Sequence, residues 1–149
     1  MIRQLFLLLS LVTFLSVSSK AQGDNVPKEV KETFTSQYPS AEDVVYKDNL
    51  LTVWVNFTMN GEKYAANYTK KGQWKNTEKE WAFEKLPDKV KDGFQKSKYA
   101  DWKVEETKMI YRAGGTEWYR VKVRKNDVQK KFLYFNKDGQ LVDDALTVG

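Results

Sequence analysis

The chain has 149 residues, of which 41% are hydrophobic, and a formal net charge of +5. It contains neither cysteine nor histidine. This excludes disulfides, thiol catalysis and the side chains most used for acid–base chemistry near neutral pH. The remaining routes are a tuned carboxylate pair, an activated lysine or a metal held by oxygens alone, and no motif supports them. We therefore expect a non-enzymatic protein with no catalytic residues, no cofactor and no metal site.

The first 21 residues have the pattern of a secretory signal peptide. Arg3 supplies a positive start, an apolar stretch runs from Leu5 to Val17, and Ser19 and Ala21 precede a suitable cleavage point. The apolar stretch spans 13 residues, whereas a transmembrane helix needs about 20. We expect an exported bacterial protein, periplasmic or extracellular, with no stable membrane anchor after cleavage.

Cleavage would leave residues 22–149, which suits one domain. Removal of Arg3 and Lys20 would lower the net charge from +5 to +3. This charge is mild and spread along the chain, whereas nucleic-acid binding usually shows a strong basic cluster. We expect no nucleic-acid partner, and the sequence gives no indication of an oligomeric state.

Two blocks of sequence occur twice in the same order. Val26–Phe34 returns 60 residues later as Leu86–Phe94, with Pro, Val and Phe at equivalent positions. Tyr68–Gln73 returns 67 residues later as Phe135–Gln140, with an aromatic residue and a glycine at equivalent positions. Repeated blocks of this kind predict an internal duplication. The two expected repeats cover about 25–82 and 83–149.

Each repeat opens with a predicted helix, because a proline suits a helix start and apolar residues follow at four-residue steps. The stripe residues are Val26, Val30 and Phe34 in the first repeat, and Leu86, Val90 and Phe94 in the second. Gly93 lies inside the second helix, where glycine destabilises by about 1 kcal/mol relative to alanine. The second helix is therefore expected to be the weaker one.

Strands follow each helix. Residues 51–59 alternate apolar and polar side chains and end at Asn60-Gly61, the strongest short hairpin signal. Further turns are predicted at Lys71-Gly72, Gly114-Gly115, Asn126-Asp127 and Asp138-Gly139. The sequence predicts an α+β fold of two tandem units, each a helix plus about four antiparallel strands. The helices are expected to pack on one face of the sheet.

The alternation also predicts what the opposite face of the sheet carries. If Val53, Val55 and Val121 point to the helices, their neighbours point away. The expected partner-binding residues on that face are Trp54, Asn56, Trp118, Arg120, Lys122, Phe132 and Tyr134, with Asn67 beside them. Aromatic residues beside arginine are enriched at interface hot spots, so an acidic or planar partner is expected, a protein or a peptide. Alternatively, the aromatic pairs only stabilise the sheet, and Trp74 or an end loop covers them.

Two carboxylate pairs are candidate acid–base groups. Glu78 and Glu80 share one side of a predicted strand, and Asp143-Asp144 lie near the C-terminus. Carboxylates work in this way only in a cleft that shifts their pKa values. No flanking motif indicates a cleft, and both pairs are expected to be solvated surface.

These motifs resemble a known family. The Pro-x-x-Val-x-x-x-Phe helix starts, the alternating strands, the aromatic-x-x-x-Gly-x turns and the tandem arrangement are similar to those of the PepSY-like proteins of Bacteroidota. That family is also described as β-lactamase-inhibitor-like (BLIP-like). The resemblance implies an exported protein with a BLIP-like fold. The inhibitor that gives the description its name grips an enzyme with the concave face of a sheet built from two such units, although no inhibitory contact residue carries over by motif.

The leading hypothesis is an exported binding protein, possibly inhibitor-like, that recognises its partner with the exposed sheet face. The alternative is a small-ligand sensor or carrier with a pocket between the helices and the sheet. A hydrolase that uses carboxylates is the least favoured.

Overall fold

The structure is a computed structural model that describes residues 25–146. The expected signal peptide, residues 1–21, lies outside them. The first half of the described chain contains α1 (Lys28–Gln37), β1 (Glu42–Asp48), β2 (Thr52–Met59), β3 (Glu62–Thr69) and β4 (Trp74–Glu80). A 3-10 turn at Phe83–Lys85 leads to α2 (Asp88–Gln95), β5 (Lys103–Arg112), β6 (Thr116–Arg124), β7 (Lys130–Asn136) and β8 (Leu141–Leu146). Both α-helices begin one residue after the prolines at which helix starts were predicted, Pro27 and Pro87.

The eight strands form one antiparallel sheet in which each strand pairs with its neighbours in sequence, in the order β1 to β8. The two halves meet where β4 pairs with β5, from Asn76 opposite Arg112 to Glu80 opposite Lys108. The predicted α+β class is confirmed, with a sheet that dominates the fold. No helix within the described range is long and apolar enough to cross a membrane.

Local turn chemistry explains why the strands reverse where they do. Asn60 and Gly61 have φ values of 53° and 76°, and positive φ at both positions is the backbone that a two-residue type I′ hairpin needs. Gly72, Gly114 and Gly139 also have positive φ. These predicted turns are confirmed.

The predicted helical stripes are buried in two hydrophobic cores. The first core consists of Val26, Val30, Phe34, Val53, Val55, Phe57, Ala66 and Tyr68. The second consists of Leu86, Val90, Phe94, Tyr99, Met109, Tyr119, Val121, Val123, Leu133 and Phe135. In the first core the ring of Phe34 meets that of Phe57 edge-on, with 5.1 Å between centroids. Each core combines one helix with residues of its own half of the sheet.

Two turn glycines lie directly against the first turns of the helices. A Cβ atom on Gly72 would stand 2.7 Å from the carbonyl oxygen of Glu29, and one on Gly139 would stand 2.0 Å from that of Lys89. Gly93 faces the same contact, since its Cβ would meet the carbonyl oxygen of Gly139 at 1.9 Å. The helix-weakening glycine therefore has a packing reason: it lets α2 approach the β7–β8 turn.

Candidate functional site

The register of the strands fixes which side chains share a face. Arg120 lies opposite Tyr134 and Lys122 opposite Phe132, and the residues between them in β6, such as Val121, are buried in the second core. We call the face opposite the helices the open face. All seven predicted residues lie on it and are half-buried: Trp54, Asn56, Trp118, Arg120, Lys122, Phe132 and Tyr134.

The open face brings five of the predicted residues together and holds two apart. In the second half, the guanidinium carbon of Arg120 lies 4.7 Å from the centroid of the Phe132 ring. Trp118 and Tyr134 meet at 6.5 Å between centroids. Trp54 lies on β2, four strand spacings from β6, which is about 19 Å. The site is therefore a broad surface with an aromatic residue towards each end.

Between these ends lies a network of charges buried near the junction of the halves. Arg120 donates from Nη1 to Glu78 Oε1 at 3.1 Å and from Nη2 to Glu106 Oε1 at 3.0 Å. Lys108 Nζ lies 3.4 Å from Glu78 Oε2. The side chains of Arg120 and Glu78 are only 14% and 9% exposed. Since a planar guanidinium that bridges two carboxylates has little freedom, Arg120 is fixed in place.

The predicted solvation of the carboxylates is wrong for Glu78 and only partly right for Asp144, which is half-buried. Glu78 is buried because β5 and β6 bring Lys108 and Arg120 to it. Asp144 accepts hydrogen bonds from Tyr99 Oη at 2.7 Å and Lys131 Nζ at 2.6 Å. Glu80 and Asp143 are exposed, as expected.

Acidic partners also neutralise the basic residues farther along β6. Glu105 lies 3.6 Å from Lys122 Nζ and 2.7 Å from Arg124 Nε. The face is therefore less basic than its β6 sequence alone indicates. Strand alternation places Lys122 and Arg124 correctly, but the pairing with β5 that supplies Glu105 is not encoded in either strand alone.

Arg112 is a residue of the open face that the sequence reasoning missed. Its guanidinium carbon lies 4.1 Å from the centroid of the Trp118 ring, a cation–π stacking distance. Unlike Arg120, it has no ion pair with any residue in 25–146. Arg112 and Trp118 form a flat, positively charged edge of the site.

A pair of side-chain amides lies in the middle of the open face. Asn67 on β3 is directly opposite Asn76 on β4, with Trp54 across from Asn67 on one side and Arg112 across from Asn76 on the other. Asn67 is 5% exposed. Neither Oδ1 atom has a hydrogen-bond partner within the part of the chain that the structure describes. An unsatisfied buried acceptor of this kind costs about 1–3 kcal/mol.

Trp74 does not cover these amides. The pairing of β3 with β4 shifts between Asn67 and Tyr68, so that Asn67 faces Asn76 while Tyr68 faces Trp74. This irregularity turns Trp74 to the helix side, where it packs against the first core. The alternative in which Trp74 covers the aromatic pairs of this face is thus wrong.

A cavity of about 400 Å³ adjoins the amide pair on the side towards the β2–β3 turn. We call it the notch. Its lining consists of Asp43, Asn56, Phe57, Thr58, Lys63, Tyr64, Ala65, Glu78, Lys79, Glu80 and Lys108. Ala65, the small side chain between Asn56 and Glu78 in the cross-strand row, gives the notch its depth. Asp43 reaches it from an irregular point of β1, where its φ is 51°.

Within residues 25–146 there is no group of three or more His, Cys, Asp or Glu side chains that could hold a metal ion. The amides, aromatic rings and paired charges of the open face suit non-covalent recognition.

The comparison with known families agrees with the geometry of this sheet. A family described as "Putative beta-lactamase-inhibitor-like, PepSY-like" matches residues 52–143, more than half of the chain. The chain belongs to the PepSY-like family. The match begins at the first residue of β2 and ends inside β8, and therefore includes every predicted partner-binding residue of this PepSY-like protein.

Solved structures share the same architecture. A DUF2874 family protein from Bacteroides ovatus is 27% identical, with a TM-score of 0.74 over 83% of this chain and 89% of the other. A BLIP-like protein from Bacteroides fragilis is 20% identical, with a TM-score of 0.71 over 83% and 88%. A protein from Bacteroides eggerthii described as a "putative periplasmic" protein is 20% identical, with a TM-score of 0.71 over 81% and 88%. Among curated proteins, none matches the PepSY-like chain.

Proposed function

We propose that this protein is an exported, non-enzymatic binding protein that acts in an inhibitor-like manner, gripping a partner protein with its open face. The observation that carries the proposal is the placement of Trp54, Trp118 and Tyr134 on the sheet face opposite both cores. Tryptophan, tyrosine and arginine are the residue types that dominate interface energetics. The inhibitor-like description of the family supports this use of the face.

The fixed charges of the face support the same conclusion. Arg120 is held by Glu78 and Glu106 before any partner arrives. Binding then requires little ordering of side chains, and preorganisation of this kind raises affinity. The neighbouring rings of Trp118 and Tyr134 are backed by β6 and β7, which are rigid through their pairing with adjacent strands.

Export and duplication belong to the same proposal. Residues 1–21 act as a signal peptide and 22–149 as the mature domain, made of repeats at about 25–82 and 83–149. The recurring order of one helix and four strands supports the duplication. So does the contact of a turn glycine with a helix start, made by Gly72 on Glu29 and by Gly139 on Lys89. Mass spectrometry of the secreted protein should find Gln22 at the N-terminus.

A second candidate function, a small-ligand sensor or carrier, is favoured by one cavity. About 650 Å³ lies between α2 and the β7–β8 turn, within the size range of small-molecule sites. Its lining includes Lys89, Lys96, Lys98, Asp92 and Asp138. Ligand pockets are usually lined by apolar side chains, so we rank this function below partner binding.

A pull-down with the mature protein as bait tests the proposal, using periplasm and culture medium of the producing cell. The wild-type bait is compared with a Trp54→Ala/Trp118→Ala double variant that stays folded by circular dichroism. We expect a protein captured by the wild type and lost by the double variant. Trp81→Ala is the matched control, since Trp81 packs against the second core on the other face of the sheet and its loss should leave capture intact.

The result also separates the two candidate functions. Capture that survives in the double variant would contradict recognition by the open face. If neither bait captures a protein, the cavity beside α2 becomes the site to test with small ligands.

A further inference from the structure

The two amides on the open face leave acceptors unused. Asn67 is 5% exposed, and its Oδ1, like that of Asn76, has no hydrogen-bond partner within residues 25–146. A purely structural role would be filled better by apolar side chains, because a buried amide without a partner destabilises the fold. The amides therefore indicate a ligand that brings N–H or O–H donors to this point.

The residues beside the two amides indicate that the ligand is extended. Trp54, Asn67, Asn76 and Arg112 are direct cross-strand neighbours on β2, β3, β4 and β5. They form a row that crosses three strand spacings, about 14 Å. About four residues of extended peptide cover that length, since each adds about 3.4 Å. A peptide main chain presents C=O groups that accept from the amide N–H groups, and N–H groups that donate to an Oδ1 atom once the amide turns that buried atom outward.

The notch next to this row limits which side chain a bound peptide can carry there. Ala65 lies two residues from Asn67 on β3, about 7 Å along the strand, which is within reach of a side chain of a peptide bound on the row. The volume of about 400 Å³ exceeds that of any single side chain.

The charge of the notch favours a cation. Lys108 is bound to Glu78 and Glu106, and Lys79 to Glu62. Among the described residues, the lining groups without an ion pair are Asp43, Glu80 and Lys63. Two carboxylates against one ammonium leave an excess of one negative charge among the unpaired groups of a lining whose paired charges cancel.

We propose that the open face recognises an extended peptide segment of its partner, with main-chain groups bound by Asn67 and Asn76 and a lysine or arginine side chain held in the notch. This inference rests on the proposed function and names the element of the partner that is recognised. It reverses the acidic partner expected from the sequence of this face, because the basic residues of β6 are neutralised by Glu78, Glu105 and Glu106.

The test uses the mature chain and fluorescein-labelled octapeptide pools. Each pool has one position fixed as Lys, Arg, Glu or Leu and an equimolar mixture elsewhere, and affinity is measured by fluorescence anisotropy. We expect the Lys and Arg pools to bind at least tenfold more tightly than the Glu and Leu pools. Binding by no pool, or a preference for Glu or Leu, overturns the proposal. So does displacement of the bound pools by an uncharged oligosaccharide such as tetra-N-acetylchitotetraose, which would show that a glycan occupies the row.

Asn67→Leu separates a ligand-binding amide from a structural one. The proposal expects at least a tenfold loss of affinity for the Lys and Arg pools together with a higher midpoint of thermal unfolding, because the unpaired acceptor is gone. A variant that is less stable than the wild type and still binds would show that the amide supports the fold instead.

The notch is tested by Asp43→Asn combined with Glu80→Gln. Asparagine tolerates the positive φ at position 43, so the backbone should be unchanged. We expect the affinity for the Lys pools to fall tenfold and the affinity for the Leu pools to stay unchanged. Asp143→Asn, a matched loss of a carboxylate on β8, beyond β6 and β7 from the notch, should change neither.

The two proposals can fail separately. A partner captured through Trp54 and Trp118 by a protein that binds no peptide pool would leave the proposed function standing and overturn the peptide inference alone.

Discussion

Arg120 is the side chain on which the charges of the open face depend. It meets two carboxylates and the ring of Phe132, and one of those carboxylates, Glu78, is buried. Removing the cation leaves Glu78 with Lys108 at 3.4 Å as its only cationic partner within the described residues. Burial makes that arrangement unfavourable, because the remaining charge is poorly solvated.

We expect Arg120→Ala to lower the free energy of unfolding by about 2–3 kcal/mol, somewhat less than for a fully buried pair because the site is partly exposed. Urea denaturation at neutral pH measures the loss. Lys122→Ala is the control, since its partner Glu105 lies at 3.6 Å and also binds Arg124, and about 0–1 kcal/mol is expected there. Equal effects of the two substitutions would show that the Arg120 pairs are screened like surface pairs.

Asp144 predicts how stability depends on pH. Hydrogen bonds from Lys131 and from Tyr99 lower the pKa of Asp144 to about 2. The unfolded chain has a pKa of about 3.9 for this group. Because the folded value is the lower one, the contribution is fully present above pH 4 and is lost as the pH falls through 2.

Comparing Asp144→Asn with the wild type isolates this contribution. The wild type should be the more stable above pH 4, and the difference in free energy of unfolding should shrink steadily between pH 4 and pH 2. Chemical denaturation at a series of pH values checks it. A difference that stays constant over this range would mean that the ion pair with Lys131 does not lower the pKa of the Asp144 carboxyl group.

At the scale of elements, the packing of α2 against the β7–β8 turn affects stability more than the helix propensity of α2 does. Gly93→Ala would raise the helix propensity of α2 by about 1 kcal/mol. Its new Cβ would stand 1.9 Å from the carbonyl oxygen of Gly139, and overpacking of this kind costs about 1–3 kcal/mol. Backbone cannot yield as a flexible side chain does, so the clash should prevail.

We therefore expect Gly93→Ala to lower the melting temperature. Thr33→Ala is the matched control, because position 33 of α1 corresponds to position 93 of α2 in the sequence repeat. Alanine there should be neutral or stabilising by about 0.5 kcal/mol. A gain in stability from Gly93→Ala would show that α2 can move away from the β7–β8 turn.

The elements were predictable where their signals are local. Prolines and apolar spacing predict both helices, and Asn60-Gly61 predicts the β2–β3 hairpin, because a few neighbouring residues determine each of them. The face of each predicted partner-binding residue also followed from alternation, since β2, β6 and β7 are regular strands.

What could not be predicted depends on pairing between strands. The burial of Glu78 requires that β5 and β6 bring Lys108 and Arg120 beside it. The side to which Trp74 points depends on one register shift. Neither the burial of Glu78 nor the direction of Trp74 can be predicted from the sequence of one strand, because register depends on how the strands pair across the sheet.

The whole molecule is one sheet over two separate cores. β4 and β5 carry the pairing between the halves, and Trp81 extends it by donating its backbone N–H to the carbonyl oxygen of Thr107 at 2.9 Å. Each half has about 60 residues, a size that buries too little surface for more than marginal stability alone. The pairing of the halves should therefore couple the unfolding of the two cores.

We expect a single unfolding transition, and Phe34→Ala and Phe94→Ala should both lower it. The two rings are buried in different cores, and loss of a buried phenylalanine costs about 3–5 kcal/mol. If the cores are coupled, each substitution shifts the urea transition seen by tryptophan fluorescence and by circular dichroism to the same new midpoint. If they are independent, Phe94→Ala should split the transition, with Trp54 and Trp74 reporting an unchanged first half. Because the open face spans both halves, coupled unfolding would also mean that a partner bound across it stabilises the entire sheet.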